Sequence, residues 1–433
     1  MMVHETRLPF VEPTATFTLC GRLPVMVIEK KGFHKTFVSL SVPFGALHRN
    51  YTDAKGNRHP LPAGLAHFLE HKIFEQADGD VSKHFTRDEA QVNAYTEHAR
   101  TTFLFSATNH IVANAARLVD MVFHPRFTTA GIEREKGVIM EEIRQYADNP
   151  YHLQYLTLMD SLYHTHPLAE DILGSLESVM ALDEQTLKRA HSAYYKPERC
   201  RLVIIGDVDA GALLQGLEDI VRLPEPSSFT ETPVPIAPLP CEQAPPIRLE
   251  QDIGTPNVLF AFPLDPGPPG KERTRRYYAM STLFDLVFGK SGHFYETWLD
   301  EGLINDAYGI DIQYESTHAY AVVMTESAEP EKFCEAFRNA VASLADLPLE
   351  EADFLRLKKQ NIGSFVMALD SLEHLAHEAI RTAEEGLFVH DVLDVIRSVS
   401  FAEVKRLRHD IDLDRLRCLK AYPKQRKPQG PDR

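Results

Sequence analysis

Two histidines four residues apart, with a glutamate between them, are the residues of this chain whose types and spacing most clearly suggest chemistry. His67, Glu70 and His71 follow the order H-x-x-E-H. On a helix, residues i and i+4 lie one above the other on the same face, so both imidazoles can reach one point in space. Two imidazoles suit zinc, and a nearby carboxylate that is not a ligand can take a proton from metal-bound water. The pattern predicts half of a hydrolytic zinc site, in the reverse of the order H-E-x-x-H.

This motif needs support from elsewhere in the chain. The sequence contains 20 histidines in 433 residues. In a chain of this length and composition, scattered His and Glu fall into the order by chance in roughly one case in ten. A zinc site that keeps a position open for water needs a third protein ligand.

The third ligand is predicted on the helical segment 133–144. Glu135 and Glu142 are seven residues apart, which is two helical turns, so they share a face. Glu141 is rotated by about 100° from Glu142 and should face elsewhere. The apolar run 137–140 indicates that part of the helix is buried. We therefore expect Glu142 to bind zinc and Glu135 to orient a ligating histidine, although most helix glutamates are solvated charges.

These residues and their surroundings resemble the pitrilysin/insulinase family of zinc peptidases, on its shorter bacterial branch similar to mitochondrial processing peptidase. The matching segments include the motif helix and the helix of the predicted third ligand: 64–75, 92–96, 100–106, 135–142 and 146–150. The family places its third ligand seven residues after a second carboxylate, which selects Glu142 over Glu141.

The resemblance implies a mechanism, a cofactor and partners. His67, His71 and Glu142 would bind Zn²⁺, Glu70 would be the general base, and Glu135 would support catalysis from behind the ligands. Each chain would have two similar halves, of which only the first carries zinc. Two such chains, as a homodimer or as a heterodimer with a related chain, would close like a clamshell around a chamber. A peptide or unfolded polypeptide substrate would add a strand to a sheet edge.

Two further sets of residues follow from the same resemblance. Asn93 and Ala94 would lie on that edge strand and bind substrate, and the alternative for Asn93 is an ordinary turn residue. In the second half, His293 stands where relatives often have an arginine that grips the substrate. Other aromatic candidates for that grip are Tyr295, Tyr308 and His318.

The elements that must position these residues are read from hydrophobic periodicity. Strands are predicted within 16–48, at 92–96, 101–108 and 201–206, and helices lie between them. Residues 223–247 contain eight prolines and little periodicity, which predicts an extended linker. The order of elements then repeats in outline. The sequence thus predicts an α+β fold of two similar half-domains, each an antiparallel sheet covered by helices, with domains at 1–222 and 248–433.

Composition limits the function classes and the compartment. The net charge is −16, which argues against non-specific binding of nucleic acid or of an anionic membrane surface. The five cysteines are far apart, which favours free thiols in a reducing compartment. No secretory signal and no apolar run long enough for a bilayer are visible, and the tail from Lys424 is predicted to be disordered. We therefore expect a cytoplasmic protein.

The sequence favours a zinc endopeptidase that acts on peptides or unfolded polypeptides. The main alternative is a non-catalytic or partner-dependent subunit of a heterodimeric peptidase, since the family contains partners that have lost catalysis. The intact motif speaks against that alternative, whereas the altered second half speaks for the need of a partner. A zinc hydrolase of small molecules would use the same residues.

Overall fold

A computed structural model describes residues 2–4, 13–76, 79–239 and 244–424. The tail that the sequence predicts to be disordered lies almost wholly outside the described residues, as does Cys241. The other four cysteines are free thiols.

The helices and strands alternate along the chain. The strands are β1 Met2–His4, β2 Thr14–Leu19, β3 Leu23–Glu29, β4 Thr36–Val42, β5 Asn50–Thr52, β6 Arg58–Pro60, β7 Glu75–Gln76, β8 Gly79–Asp80, β9 Gln91–Thr96, β10 Thr101–Ala107, β11 Arg201–Gly206, β12 Thr230–Glu231, β13 Ile247–Gln251, β14 Asn257–Leu264, β15 Gly309–Tyr314, β16 Ala319–Glu326 and β17 Arg417–Pro423. The α-helices are α1 Leu65–Ile73, α2 Ser82–Arg87, α3 Ile111–Phe123, α4 Thr129–Ala147, α5 Pro150–Tyr163, α6 Leu176–Met180, α7 Glu184–Tyr194, α8 Ala210–Ile220, α9 Lys271–Val287, α10 Tyr295–Asp300, α11 Pro330–Ser343, α12 Glu351–Ala368, α13 Leu372–Glu384, α14 Asp391–Ser398 and α15 Phe401–Leu407.

The chain forms two compact units that are discontinuous in sequence. The first unit comprises residues 1–145, 170–235 and 364–391, and the second comprises 146–169, 236–363 and 392–433. Helix α13 therefore belongs to the first unit and helix α5 to the second. These compact units interleave along the chain and are defined differently from the contiguous domains 1–222 and 248–433, which remain a prediction.

The first unit is built on a sheet with the strand order β1-β2-β3-β11-β4-β10-β9. Neighbouring strands are antiparallel except β11 and β3, which are parallel. In the central strand β4, Val38, Leu40 and Val42 face the hydrophobic core of the unit. The alternate residues Phe37, Ser39 and Ser41 are also buried, because α13 packs on β4 and β11. Strand β9 is the last strand at one edge of this sheet.

The second unit repeats the plan on a smaller sheet with the order β13-β17-β14-β16-β15. One face carries a core rich in aromatic side chains, with Phe260 stacked on Phe337 at 4.0 Å between ring centroids. Helix α5 packs on β14 and β17. It buries apolar side chains such as Leu158 and Met159 and also makes polar contacts. The Tyr155 and Tyr320 hydroxyls lie 2.9 Å apart, and the Tyr163 hydroxyl donates to the backbone carbonyl of Ala319 at 3.0 Å.

The α+β class and the mostly antiparallel sheets predicted from the sequence are confirmed. Several elements differ in detail. The predicted linker contains β12, which pairs with β5. The polar segment 49–58, in which Gly56 and Asn57 predict a loop, contributes to the β5–β6 hairpin. Helix α8 and strand β13 were not predicted. The helical pattern over 350–385 has two candidate breaks, at Gly363 and Asp370. The structure has the break near Asp370, between α12 and α13, so the second part can join the first unit.

Candidate metal centre

Helix α1 carries both histidines of the motif. It begins after Gly64, whose φ of 79° is the left-handed conformation that favours glycine. A Cβ at this position would lie 2.3 Å from the backbone oxygen of Leu173, so a larger residue would push the helix entry away. The apolar face of α1 packs into the core, and His67 is only 7% exposed. The imidazoles of His67 and His71 are neighbours, with ring centroids 4.6 Å apart.

Helix α4 brings Glu142 to these two rings. Glu142 Oε2 lies 3.7 Å from Nε2 of His67 and 3.8 Å from Nε2 of His71. One ligand atom from each of the three residues can be chosen so that all lie within 4.8 Å of one another. Ligand atoms bound to a tetrahedral zinc at 2.0–2.2 Å are about 3.3–3.6 Å apart. The observed donor set, with two imidazole nitrogens and one carboxylate oxygen, therefore fits zinc with small side-chain movements.

Glu135 lies behind His71 and not among the ligand atoms. Its Oε1 is 3.0 Å from Nδ1 of His71, which leaves Nε2 of that ring directed towards Glu142. A carboxylate that accepts Nδ1–H fixes the tautomer in which Nε2 has its lone pair free for a metal. Glu141 is exposed and pairs with Arg144 at 2.9 Å. The prediction that part of this helix is buried is confirmed at Ile139, whereas Gly137 and Val138 are exposed.

The protonation states of the two imidazoles differ. Burial, with a smaller contribution from the neighbouring His71, lowers the pKa of His67 to about 3. His67 is therefore neutral at physiological pH, which is the state that a metal ligand needs. For His71, burial lowers the pKa, but the hydrogen bond and the charge of Glu135 outweigh burial and raise it overall. Zinc would compete with a proton at His71 and hardly at His67.

Glu70, the predicted general base, is held by a threonine that the sequence analysis missed. The hydroxyl of Thr96 donates to Glu70 Oε2 at 2.6 Å. Burial raises the pKa of Glu70, and the hydrogen bond from Thr96 partly offsets this. A raised pKa suits a carboxylate that must accept a proton and release it again near neutral pH. The signal for Thr96 was its place at the end of the strand predicted at 92–96.

Strand β9 places Asn93 and Ala94 on the open edge of the first sheet, opposite Leu104 and Phe103 of β10. The Asn93 side chain accepts a hydrogen bond from the Ala94 amide at 2.9 Å. This amide therefore already has a partner, which a substrate strand would have to replace. Their role in binding substrate remains a prediction.

The candidates for a substrate grip in the second half mostly have packing roles. The Tyr308 hydroxyl donates to the carbonyl of Phe288 at 2.8 Å, and Tyr295 packs edge-on against Tyr308. His318 is buried and stacked on Tyr320. His293 is exposed. Within the part of the chain that the structure describes, His67, His71 and Glu142 form the single cluster that could hold a metal.

Comparisons with known proteins find relatives along most of the chain. Residues 26–176 match a family model described as insulinase (peptidase family M16), and residues 181–361 match one described as the peptidase M16 inactive domain. The uncharacterised zinc protease YmfH of Bacillus subtilis is 32% identical over 410 residues, which cover 93% of this chain and 95% of YmfH.

Two solved structures are similar over nearly the whole chain. A putative M16-like peptidase from Alicyclobacillus acidocaldarius has a TM-score of 0.90 and 28% identity, covering 97% of this chain and 100% of that one. Pitrilysin has a TM-score of 0.75 at 17% identity, which is a likeness of fold alone. That match covers 99% of this chain and 47% of the pitrilysin chain.

Proposed function

The chain belongs to the insulinase family of peptidases, peptidase family M16, and on this premise we propose that it is a zinc-dependent endopeptidase. Its substrates are peptides or unfolded polypeptides. The observation that carries the proposal is the convergence of His67, His71 and Glu142 beside Glu70, a half-buried carboxylate outside the ligand set. A structural ion-pair cluster would not need a separate carboxylate with a raised pKa at that place.

Each side chain of the centre has one task in the proposed hydrolysis. Bound zinc would polarise the scissile carbonyl and lower the pKa of a water molecule at its open position. Glu70 takes the proton of the attacking water and later gives it to the leaving amine. Glu135 keeps the His71 ring in the orientation and tautomer that the ligand set requires.

The open edge of β9 is the proposed substrate-binding strand. An extended peptide that pairs with this edge would gain main-chain hydrogen bonds with little dependence on its side chains. Asn93 and Ala94 would take part, with the Ala94 amide exchanging its bond to the Asn93 side chain for one to the substrate. This mode suits unfolded polypeptides, because a folded substrate does not present a free strand.

A partner-dependent subunit is the second proposal. It is supported by the share of pitrilysin that this chain covers, 47%, and by the packing roles of the candidate grip residues in the second unit. We propose that two chains, either two copies or this chain and a related one, form the working enzyme. Light scattering of the purified chain, alone and with a candidate partner, should give twice the 49.0 kDa monomer mass.

The compartment is also a proposal. No helix among the described residues is long and apolar enough to cross a membrane. We propose that the enzyme works in the cytoplasm, where free thiols such as Cys200 and Cys334 persist. Fractionation of cells followed by immunoblotting would test the location.

The decisive experiment measures zinc content and peptide cleavage together. Glu70→Gln should keep zinc and lose cleavage by roughly 10²–10⁴-fold, the usual contribution of a general acid–base. His71→Ala should lose both zinc and cleavage. Casein and an unselective peptide library serve as substrates. If Glu70→Gln cleaved either substrate as fast as wild type, the proposed mechanism would be wrong. Zinc binding without any turnover, even with partner, would favour the non-catalytic alternative.

A further inference from the structure

The hydroxyl of Thr96 is placed where it can control the orientation of the Glu70 carboxylate. Its donation to Glu70 Oε2, at 2.6 Å, has the length that is typical of a hydroxyl donating to an ionised carboxylate. Among the described residues, this is the hydrogen bond that Glu70 makes through its side chain. One carboxylate oxygen is thus committed to Thr96, and Oε1 is the atom left to exchange a proton.

The surroundings leave the Thr96 hydroxyl little choice of acceptor. The nearest other hydroxyl is that of Thr101, 3.4 Å away on β10. The proton of Thr101 is directed elsewhere, because its hydroxyl donates to the carbonyl of Phe44 at 2.7 Å. Glu70 offers Thr96 the shorter contact and the negative charge. The direction of the bond, from Thr96 to Glu70, therefore follows from its neighbours.

The backbone that carries Thr96 is fixed by the turn between β9 and β10. Within this turn the Glu97 amide donates to the carbonyl of Arg100 at 2.8 Å. The turn also accepts hydrogen bonds from the amides of Ala46 and Leu47, at 3.1 and 2.9 Å. Gly45 permits this close approach, since a Cβ there would lie 2.3 Å from the carbonyl oxygen of Glu97. Thr96, adjacent to the turn, has no freedom to follow a rotating Glu70 side chain.

We propose that Thr96 is the positioning residue of the general base: its hydroxyl holds Glu70 Oε2 so that Oε1 faces the reacting water. The expected effect on turnover rests on the proposed peptidase function. The expected effect on the orientation of the Glu70 carboxylate rests on the geometry alone. A glutamate side chain without such a contact samples several rotamers, and each unproductive rotamer lowers the fraction of active enzyme. Thr96 touches neither metal ligands nor substrate in this account, so its effect belongs to turnover.

The test compares three variants of the full-length chain. Thr96→Val removes the hydroxyl and keeps the β-branched shape, whereas Thr96→Ser keeps the hydroxyl and loses the methyl group. Thr102→Val is the matched control. Thr101 lies opposite Thr96 in the β9–β10 pair, so Thr102, the next residue along β10, points to the opposite face of the sheet from Thr96. Thermal unfolding of all three establishes that each variant is folded.

Thr96→Val should lower kcat by about 10–100-fold, the usual cost of losing a group that orients a catalytic residue, with KM and zinc content unchanged. Thr96→Ser should restore most of kcat, and Thr102→Val should match wild type. A crystal structure of metal-free Thr96→Val should show the Glu70 carboxylate turned or in several conformers. Unchanged kcat in Thr96→Val, or a Thr96→Ser variant as slow as Thr96→Val, would overturn the proposal.

The crystallographic arm separates this inference from the proposed function. If wild type cleaved no peptide, the peptidase proposal would fail while the orientation of Glu70 could still be compared between wild type and Thr96→Val. A Glu70 carboxylate that keeps its wild-type orientation in Thr96→Val would then overturn the positioning role, and a displaced one would support it.

Discussion

Glu142, rather than the adjacent Glu141, reaches the two histidines because residues one apart on a helix point about 100° from each other. The structure places Glu142 Oε2 within 3.8 Å of both Nε2 atoms, and Glu141 in an exposed pair with Arg144. Glu135, two turns before Glu142, reaches Nδ1 of His71. The spacing of side chains on one helix thus assigns a different contact to each of the three glutamates.

Glu135→Gln should weaken zinc binding. A neutral amide holds Nδ1–H of His71 less strongly than a carboxylate does, so the ring loses basicity and orientation. We expect zinc affinity to fall by about 10–100-fold. Competition with a zinc-binding dye measures the dissociation constant. Glu141→Gln, on the same helix, is the control and should bind zinc as wild type does. Equal affinities in the two variants would rule out an orienting role for Glu135.

Two half-buried histidines away from the metal centre, His48 and His191, predict loss of stability in acid. Burial is the main cause that lowers the pKa of His48 and of His191 to about 4 each. In the unfolded chain both return to about 6.5. Between these values the unfolded chain binds more protons, so the free energy of unfolding falls as the pH drops from about 6.5 towards 4. Each histidine contributes at most about 1.4 kcal/mol per pH unit.

His191→Gln tests this prediction. Glutamine can still donate a hydrogen bond to the Val122 carbonyl, which His191 Nε2 contacts at 2.8 Å, but it does not titrate. Urea unfolding at several pH values from 7 to 4 should give a shallower decline for the variant, by the slope of about one proton. Parallel curves for variant and wild type would show that His191 does not become protonated on unfolding.

At the scale of elements, helix α13 stabilises the β9–β10 hairpin, which lies next to Glu70, the proposed general base. Arg100, at the start of β10, is 3% exposed and makes two hydrogen bonds to Glu384 at 3.0 and 2.6 Å. It also contacts Glu97 at 3.2 Å. The sequence separation of 284 residues between Arg100 and Glu384 hides this link from any local pattern. The β9–β10 turn is therefore held from both Gly45 and α13.

Glu384→Ala should destabilise the chain, because it removes the bidentate partner of a buried guanidinium. We expect about 1–3 kcal/mol, less than for a fully buried pair, since the Glu384 side chain is 35% exposed. For a unit of this size, each kcal/mol lowers Tm by about 2–4 °C. Differential scanning calorimetry would measure the shift. Glu373→Ala, exposed in the first turn of α13, should change stability by less than about 1 kcal/mol. Identical Tm values for the two variants would contradict the role of Glu384.

At the scale of the whole molecule, the main sheet of each unit is covered on its second face by a helix from a distant part of the chain. Helix α13 covers β4 and β11 of the first unit, and α5 packs on β14 and β17 of the second. The alternating pattern of β4 is that of a strand with one polar face in water. All seven of its residues are nevertheless buried, because α13 covers that face.

A fragment of residues 1–235 should therefore be unstable, although it contains every residue of the candidate metal centre. It lacks α13, so Arg100 loses Glu384 and the second face of the sheet is exposed to water. We expect it to unfold at a lower temperature than the full chain or to aggregate. The same fragment joined by a flexible linker to residues 364–391 should recover cooperative unfolding. Cooperative unfolding of 1–235 alone at the Tm of the fused form would show that α13 is dispensable.

Local sequence was sufficient for the helices that carry the site, because their apolar periodicity and the i, i+4 and i, i+7 spacings act within one element. It also predicted the α+β class and the positions of several strands along the chain. Thr96 escaped it for a physical reason: the bond to Glu70 depends on how β9 lies beside α1, which no spacing within either element encodes. The grip residues of the second half were candidates by type alone, and packing assigned most of them to the interior.

The break near Asp370, by contrast, could be predicted from the local sequence, but its consequence for the packing of the following helix could not. Only tertiary packing decided that the helix after it joins the first unit, where Lys30 donates to the Leu369 carbonyl at 2.8 Å and Glu384 meets Arg100. Contacts between residues hundreds of positions apart form because complementary apolar faces bury each other. A single sequence shows which helices and strands have apolar faces, but not which of these faces pack together. The proposed ligand set could be predicted from spacing along two helices, whereas the contact that holds Glu70, the proposed general base, emerged only from the folded chain.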